Sequence, residues 1–292
     1  MKLGLGTVQF GMDYAIDVNE RRPDDRQVGE ILDLAYKNGV RVLDTASLYG
    51  NSESVLGRNM QQNFRVVTKT PAFGQGHFGA QEAKVLRQTF LHSLENLRLS
   101  KVAALMAHRA DDLLAPGGQH LFEAMLTLKN EGLVEKIGVS VYTGEQIDGL
   151  LECYNLDCIQ VPVSLFDQRL IQSGHLTALK ELGIEVHSRS SFLKGLIFQN
   201  PEVLPDHFVG AKAQLRAFRA LTAEHGVTPL VGALSFILAQ KEVDVVLCGV
   251  TSRAQLEEIL EAAQSPITAD MSSFALTDVN ILNPGRWPDY KL

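Results

Sequence analysis

Residues 42–56 read VLDTASLYGNSESVL. Val42 and Leu43 lead into Asp44 as a short apolar strand that ends in an acid. A turn then carries Tyr49 and Gly50, and Ser52 with Glu53 opens a segment whose apolar residues recur at helical spacing. A carboxyl at the end of a strand and a phenol one tight turn later place two ionisable groups in one mouth, as proton transfer requires.

Outward from this stretch, short β-type runs alternate with longer helix-type segments, the pattern of a parallel sheet with crossover helices. Strands are predicted over residues 2–6, 41–45, 65–69, 102–108, 136–140, 158–162, 184–188 and 244–248. Helices are predicted over 25–37, 80–97, 121–131, 144–154, 174–182 and 252–262. Val28, Ile31, Leu32 and Ala35 show the i, i+3, i+4 spacing in the first, and Gly39, Gly132 and Gly183 cap three of the segments. Eight such units predict an α/β fold, a closed (β/α)8 barrel, and 292 residues suit that barrel as a single domain over residues 1–292. The interval 189–243 is longer than a crossover needs. Pro201 and Pro205 break a loop there, residues 210–225 and 229–240 read as two helices, and extra segments on this side of a barrel usually serve ligands. A tail from about residue 265 is expected to be anchored by Trp287.

With 45% hydrophobic and 21% charged residues, the chain is able to bury a substantial core. A net charge of −7 disfavours a nucleic-acid or anionic-membrane partner. Cys153, Cys158 and Cys248 are odd in number, lack CxxC spacing and sit in apolar sequence, so buried thiols in a reducing compartment are expected rather than disulfides or a metal site. The opening MKLGLGTVQFG has too short an apolar run for a signal peptide, and no apolar run is long enough to span a membrane. A cytoplasmic location is the expectation.

Lys69 lies in VVTKT and His108 in ALMAHR, so Asp44, Lys69 and His108 stand at the ends of successive predicted strands, with Tyr49 in the turn after the first. Singly, such residues are usually caps, packed aromatics or solvated groups; together they are far more specific. This set, with DTASLYG, resembles the signature of the aldo-keto reductases, over Met1 to about Leu260. The resemblance implies carbonyl reduction by hydride transfer from NADP(H). Tyr49 would donate the proton, Lys69 would stabilise the phenolate, Asp44 would hold Lys69, and His108 would orient the substrate oxygen. A strand-end Lys69 alone would also suit a Schiff-base aldolase on the same fold, but the adjoining motif favours hydride transfer. Compared with the family, the chain starts at the first barrel strand without the hairpin that commonly plugs the barrel floor, so other apolar side chains are expected to close that end.

The resemblance also implies a cofactor groove. Gly6 and Thr7 in GLGT match residues that let cofactor approach the backbone. Ser140 and Gln160 match positions that bond the nicotinamide carboxamide, although Val141 stands where the family often has Asn. In RSSFLKGL, Arg189, Ser190, Lys194 and the backbone at Phe192, Leu193 and Gly195 match a pyrophosphate-covering loop. Arg189 replaces the aromatic that usually stacks on nicotinamide, and is expected to pack over that ring or reach the pyrophosphate. In LCGVTSRAQLEEIL, Gly249, Thr251, Ser252 and Arg253 match a site for the 2′-phosphate, with Gln255 and Glu258 near adenosine. The expected function is NADPH-dependent reduction of a small aldehyde or ketone. The alternative is a cofactor-binding redox sensor or regulatory subunit, recognisable by a closed mouth and an exposed apolar patch. The loops 71–79, 109–119 and 198–208 carry no pattern diagnostic of one substrate.

Overall fold

The computed structural model describes residues 1–14, 21–74 and 76–288. Eight strands, β1 (Leu3–Gly6), β2 (Val42–Asp44), β3 (Arg65–Lys69), β4 (Val102–Ala107), β5 (Val134–Ser140), β6 (Cys158–Pro162), β7 (Glu185–Arg189) and β8 (Val245–Gly249), close in sequence order into one parallel barrel. β8 pairs back on β1, with Gly6 opposite Gly249 on one side and opposite Asp44 on the other.

The ring outside comprises α1 (Asp25–Lys37), α2 (Ser52–Asn59), α3 (Ala80–Leu97), α4 (Gly118–Asn130), α5 (Gly144–Cys153), α6 (His175–Glu181), α7 (Lys212–Glu224), α8 (Pro229–Ala239) and α9 (Arg253–Gln264), with shorter helical turns between. α1 starts where Asp24 and Gln27 form a reciprocal capping box, and it buries the predicted stripe of Val28, Ile31, Leu32 and Ala35. α4 begins three residues before the predicted 121. Gly117 turns in the left-handed region at φ 86°, and a Cβ on Gly118 would lie 2.0 Å from the Leu113 carbonyl oxygen, so only glycine lets the chain start its helix there.

The barrel's interior alternates with the strand period. Val42, Val67, Ala104, Met106, Cys158, Val245 and Leu247 form an apolar layer. At the amino ends of the strands, the Glu185 carboxylate accepts from Lys136 and, at 3.3 Å, from Arg65, and its Oε1 lies 2.8 Å from His187 Nε2. The floor thus holds an ion cluster beneath the apolar layer, where the sequence suggested apolar side chains alone. Alternation explains it, because Glu185 and His187 share the inward face of β7 with Arg189.

The interval after β7 contains three 3-10 segments before α7. Leu193, Leu196, Ile197 and Phe208 pack there with Leu215 and Phe218 of α7 and with Phe274, Ile281 and Leu282 of the tail, in a second apolar cluster. Trp287 anchors that tail, donating to the Ile281 carbonyl at 2.9 Å with its ring edge-on to Phe208. Cys158 and Cys248 are buried free thiols, whereas Cys153, at the last turn of α5, is exposed, contrary to its apolar sequence context. No single helix among the described residues is long and apolar enough to cross a membrane.

Candidate active site

Two loops touch backbone to backbone to set the Tyr49 turn. A Cβ on Gly11 would lie 1.8 Å from the Tyr49 carbonyl oxygen, and one on Gly50, at φ 56°, 2.3 Å from the Gly11 oxygen. Ser52 then braces the site from behind, donating to the Thr7 carbonyl at 2.8 Å, while the Thr7 amide and hydroxyl both reach the Asp44 carbonyl, at 2.9 and 3.0 Å. The Thr7 hydroxyl is therefore committed to the scaffold.

Asp44 and Lys69 are buried, and the Lys69 ammonium donates to Asp44 Oδ1 at 2.6 Å and to the Thr45 carbonyl at 2.9 Å. Gln160 donates to the other oxygen, Asp44 Oδ2, at 2.7 Å. Burial pulls the Lys69 pKa down and the Asp44 charge opposes that pull. Lys69 Nζ lies 5.1 Å from the centre of the Tyr49 ring, and the Tyr49 and His108 rings meet edge to face with centroids 5.8 Å apart. The His108 amide is fixed by Thr70 Oγ1 at 3.2 Å. Burial, reinforced by the Lys69 charge, drops His108 from 6.5 to about 4, so it is a neutral imidazole at pH 7.

Burial first, then the Asp44 carboxylate, raise the Tyr49 phenol well above its ordinary value, and Arg189 is the cation that opposes them. Lys69 faces the Tyr49 ring while paired with Asp44, and Arg189 is a second cation whose charge acts on the phenol. These groups line one cavity of about 620 Å³ at the carboxyl ends of the strands, within the size range of small-ligand clefts.

Of the residues assigned from sequence, all line this cavity except Leu193, Thr251, Ser252 and Arg253. Leu193 buries its side chain in the second cluster and donates its amide to the Ser190 carbonyl at 2.9 Å; the Gly195 amide donates to the Phe192 carbonyl at 2.9 Å. Neither amide is free for a phosphate in this loop conformation, which turns back on itself through positive φ at Ser190, Leu193, Lys194 and Gly195. Ser252 caps α9 by accepting from the Gln255 amide, and the Thr251 amide donates to Gln255 Oε1 at 2.7 Å. Arg253 lies on the exposed face of α9, paired with Glu257 at 2.9 Å. Arg189 is not an open plate: its guanidinium stacks 4.0 Å from the Tyr142 ring centre and donates to the Val141 carbonyl at 2.9 Å and to Ser190 Oγ at 3.2 Å.

Gln9, Tyr14 and Tyr142 are among the lining residues that the sequence did not single out. Gln9 fills the space a Cβ on Gly249 would take, 2.4 Å from it, and its Oε1 is buried with no partner among the described residues. Tyr14 and Tyr142 flank the mouth, and burial pushes the Tyr14 phenol up to about 12. Gln9 lies two residues past the GLGT motif and Tyr142 two past Ser140; looking one turn beyond each strand end would have found both.

The aldo/keto reductase family model matches residues 2–274. An uncharacterised oxidoreductase of Bacillus subtilis, YqkF, is 26% identical over 90% of this chain and 87% of its own length, and L-galactose dehydrogenase of Arabidopsis thaliana is 28% identical over 98% and 94%. Among solved structures, the holo form of the aldo-keto reductase AKR11C1 from Bacillus halodurans superposes with a TM-score of 0.74 at 22% identity, covering 100% of this chain and 95% of that one. Glycerol dehydrogenase AKR11B4 from Gluconobacter oxydans gives 0.72 at 22%, covering 93% and 89%. A closed eight-stranded parallel barrel with a family match across nearly its whole length defines the class: the chain belongs to the aldo/keto reductase family of oxidoreductases, which use nicotinamide cofactors.

Proposed function

We propose that this protein is an NADP(H)-dependent reductase of a small aldehyde or ketone, with Tyr49 as proton donor and residues 1–292 acting as one domain. The observation that carries the reading is the convergence of Tyr49, His108 and the Lys69–Asp44 pair in one cavity. The cavity suits a dinucleotide in two respects. A Cβ on Gly6 would meet nothing closer than 3.9 Å, so a ring has room to approach the backbone, and the orphaned Gln9 Oε1 seeks a donor. Ser140 and the Gln160 oxygen would hold the carboxamide, and the bound nicotinamide would supply hydride.

Neutral His108 is able to donate a hydrogen bond to the carbonyl oxygen without competing as an acid, and Tyr49 delivers the proton as charge develops there. The phenolate left behind is stabilised by Lys69 beneath its ring and by Arg189. Arg253 would grip a 2′-phosphate by leaving Glu257; an exposed i,i+4 pair contributes only about 0.3–0.5 kcal/mol, whereas a charge-assisted bond to phosphate contributes about 1.5–3 kcal/mol. Oxidation of NADPH against a carbonyl panel tests the reading. Wild type should turn over at least one aldehyde or ketone, and Tyr49→Phe should bind NADPH yet lose about 10² to 10⁴ in rate. Turnover by Tyr49→Phe within a few fold of wild type would remove Tyr49 from the mechanism.

A further inference from the structure

The charges lining the cavity do not balance at Arg189. Both Asp44 oxygens are answered, one by Lys69 and one by Gln160. Glu258 lies with Gln255 on α9, and Lys194 sits 4.4 Å from the Tyr14 ring centre. Among the described residues, no carboxylate comes within ion-pair distance of Arg189. Of its five N–H groups, one reaches the Val141 carbonyl and one Ser190 Oγ. Arg189 lines the cavity, and stacking on Tyr142 fixes the plane of its guanidinium. A guanidinium held this way in a half-buried cleft lacks a counterion that a ligand can supply, and its rigid fork matches a carboxylate.

The position of that charge narrows the ligand. Arg189 lines the same cavity as Tyr49, His108 and Tyr14 and its charge acts on all three, so a carbonyl held by Tyr49 and His108 would share that cavity with the cation. The adenosine end of the expected groove lies on α9, at Gln255 and Glu258. We propose that Arg189 receives a carboxylate carried by the carbonyl substrate, so that the preferred substrates are oxo acids. This rests on the carbonyl-reductase reading and adds the class of compound reduced.

The test compares glyoxylate, pyruvate and succinic semialdehyde, each against its methyl ester, in wild type, Arg189→Gln and Arg189→Lys. Wild type should favour the acid in kcat/KM in at least one pair, by roughly ten- to a hundredfold. The acid-to-ester ratio should collapse toward one in Arg189→Gln, whatever that variant's absolute rate, and survive in part in Arg189→Lys. Equal use of acids and esters by wild type, or a ratio that persists in Arg189→Gln, overturns the proposal. So does a tenfold loss of NADPH affinity in Arg189→Gln with the ratio intact, which would assign the guanidinium to a cofactor phosphate. Should no carbonyl be turned over, the reductase reading fails first, and calorimetric binding of the same acids to NADP⁺-loaded protein still decides: tenfold weaker binding to Arg189→Gln supports the carboxylate site, equal binding removes it.

Discussion

At the residue scale, Asp44, Lys69 and His108 were legible because the first two end a strand and the third directly follows one, in phase with its inward face, where a period of two places side chains in the mouth. The Gln160–Asp44 bond was not legible, since it joins residues 116 apart in sequence across the barrel. Nor was the commitment of Arg253 to Glu257, which is a choice of rotamer rather than of position. Lys69→Met should destabilise the fold by about 3–5 kcal/mol in urea unfolding, because it leaves Asp44 buried without its cation; adding Asp44→Asn should recover part of the loss. Arg253→Ala should change stability by under about 0.5 kcal/mol, yet weaken NADPH roughly tenfold more than NADH in fluorescence titration. Equal weakening of both would make Arg253 a helix-surface residue only. His108 titrates at about 4 in the fold against 6.5 in the unfolded chain, so the unfolded state binds the extra proton between those values. Stability should therefore fall as pH drops through that window, and His108→Asn should flatten that part of the profile. An unchanged profile would mean His108 is not held neutral.

At the scale of elements, the sequence located the strands to within a residue or two because β-branched runs bounded by turn residues leave little choice, as in β3 and β6. It did not reveal why GTVQFG and YGNS must both carry glycine, since that follows from two loops meeting in space. Gly11→Ala puts a methyl group 1.8 Å from the Tyr49 carbonyl oxygen, with backbone and not a flexible side chain in the way. The Tyr49 turn must shift, so Gly11→Ala should lose carbonyl turnover well beyond its loss of stability, even where circular dichroism shows an intact barrel. Gly57→Ala meets the Asn96 carbonyl at 2.0 Å, between α2 and α3 and away from the cavity, and should cost stability without a comparable fall in rate per folded molecule. If both variants lose rate and stability in the same proportion, the Gly11–Gly50 crossing does not position the phenol.

At the scale of the molecule, catalytic and floor layers occupy opposite ends of the barrel, with apolar side chains between. The floor cluster escaped sequence reading because Arg65, Lys136, Glu185 and His187 look like ordinary strand-start polar residues until the barrel closes. His187, foremost, then Lys136 and Arg65 hold the Glu185 carboxyl well below its ordinary 4.5. A carboxyl depressed in the fold contributes stability above 4.5 that is lost as pH falls below it, and Glu185→Gln, weaker at pH 7, should show a shallower acid limb. None of this bears on the chemistry, which depends on the cavity at the other end. The central claim is that this cavity moves hydride from a nicotinamide to a carbonyl carbon while Tyr49 supplies the proton. Mass spectrometry of the alcohol formed from NADPH deuterated at the nicotinamide reactive carbon tests it most directly. The account predicts one deuterium on the former carbonyl carbon with wild type and very little product with Tyr49→Phe; alcohol formed without deuterium from either face of the ring would contradict it.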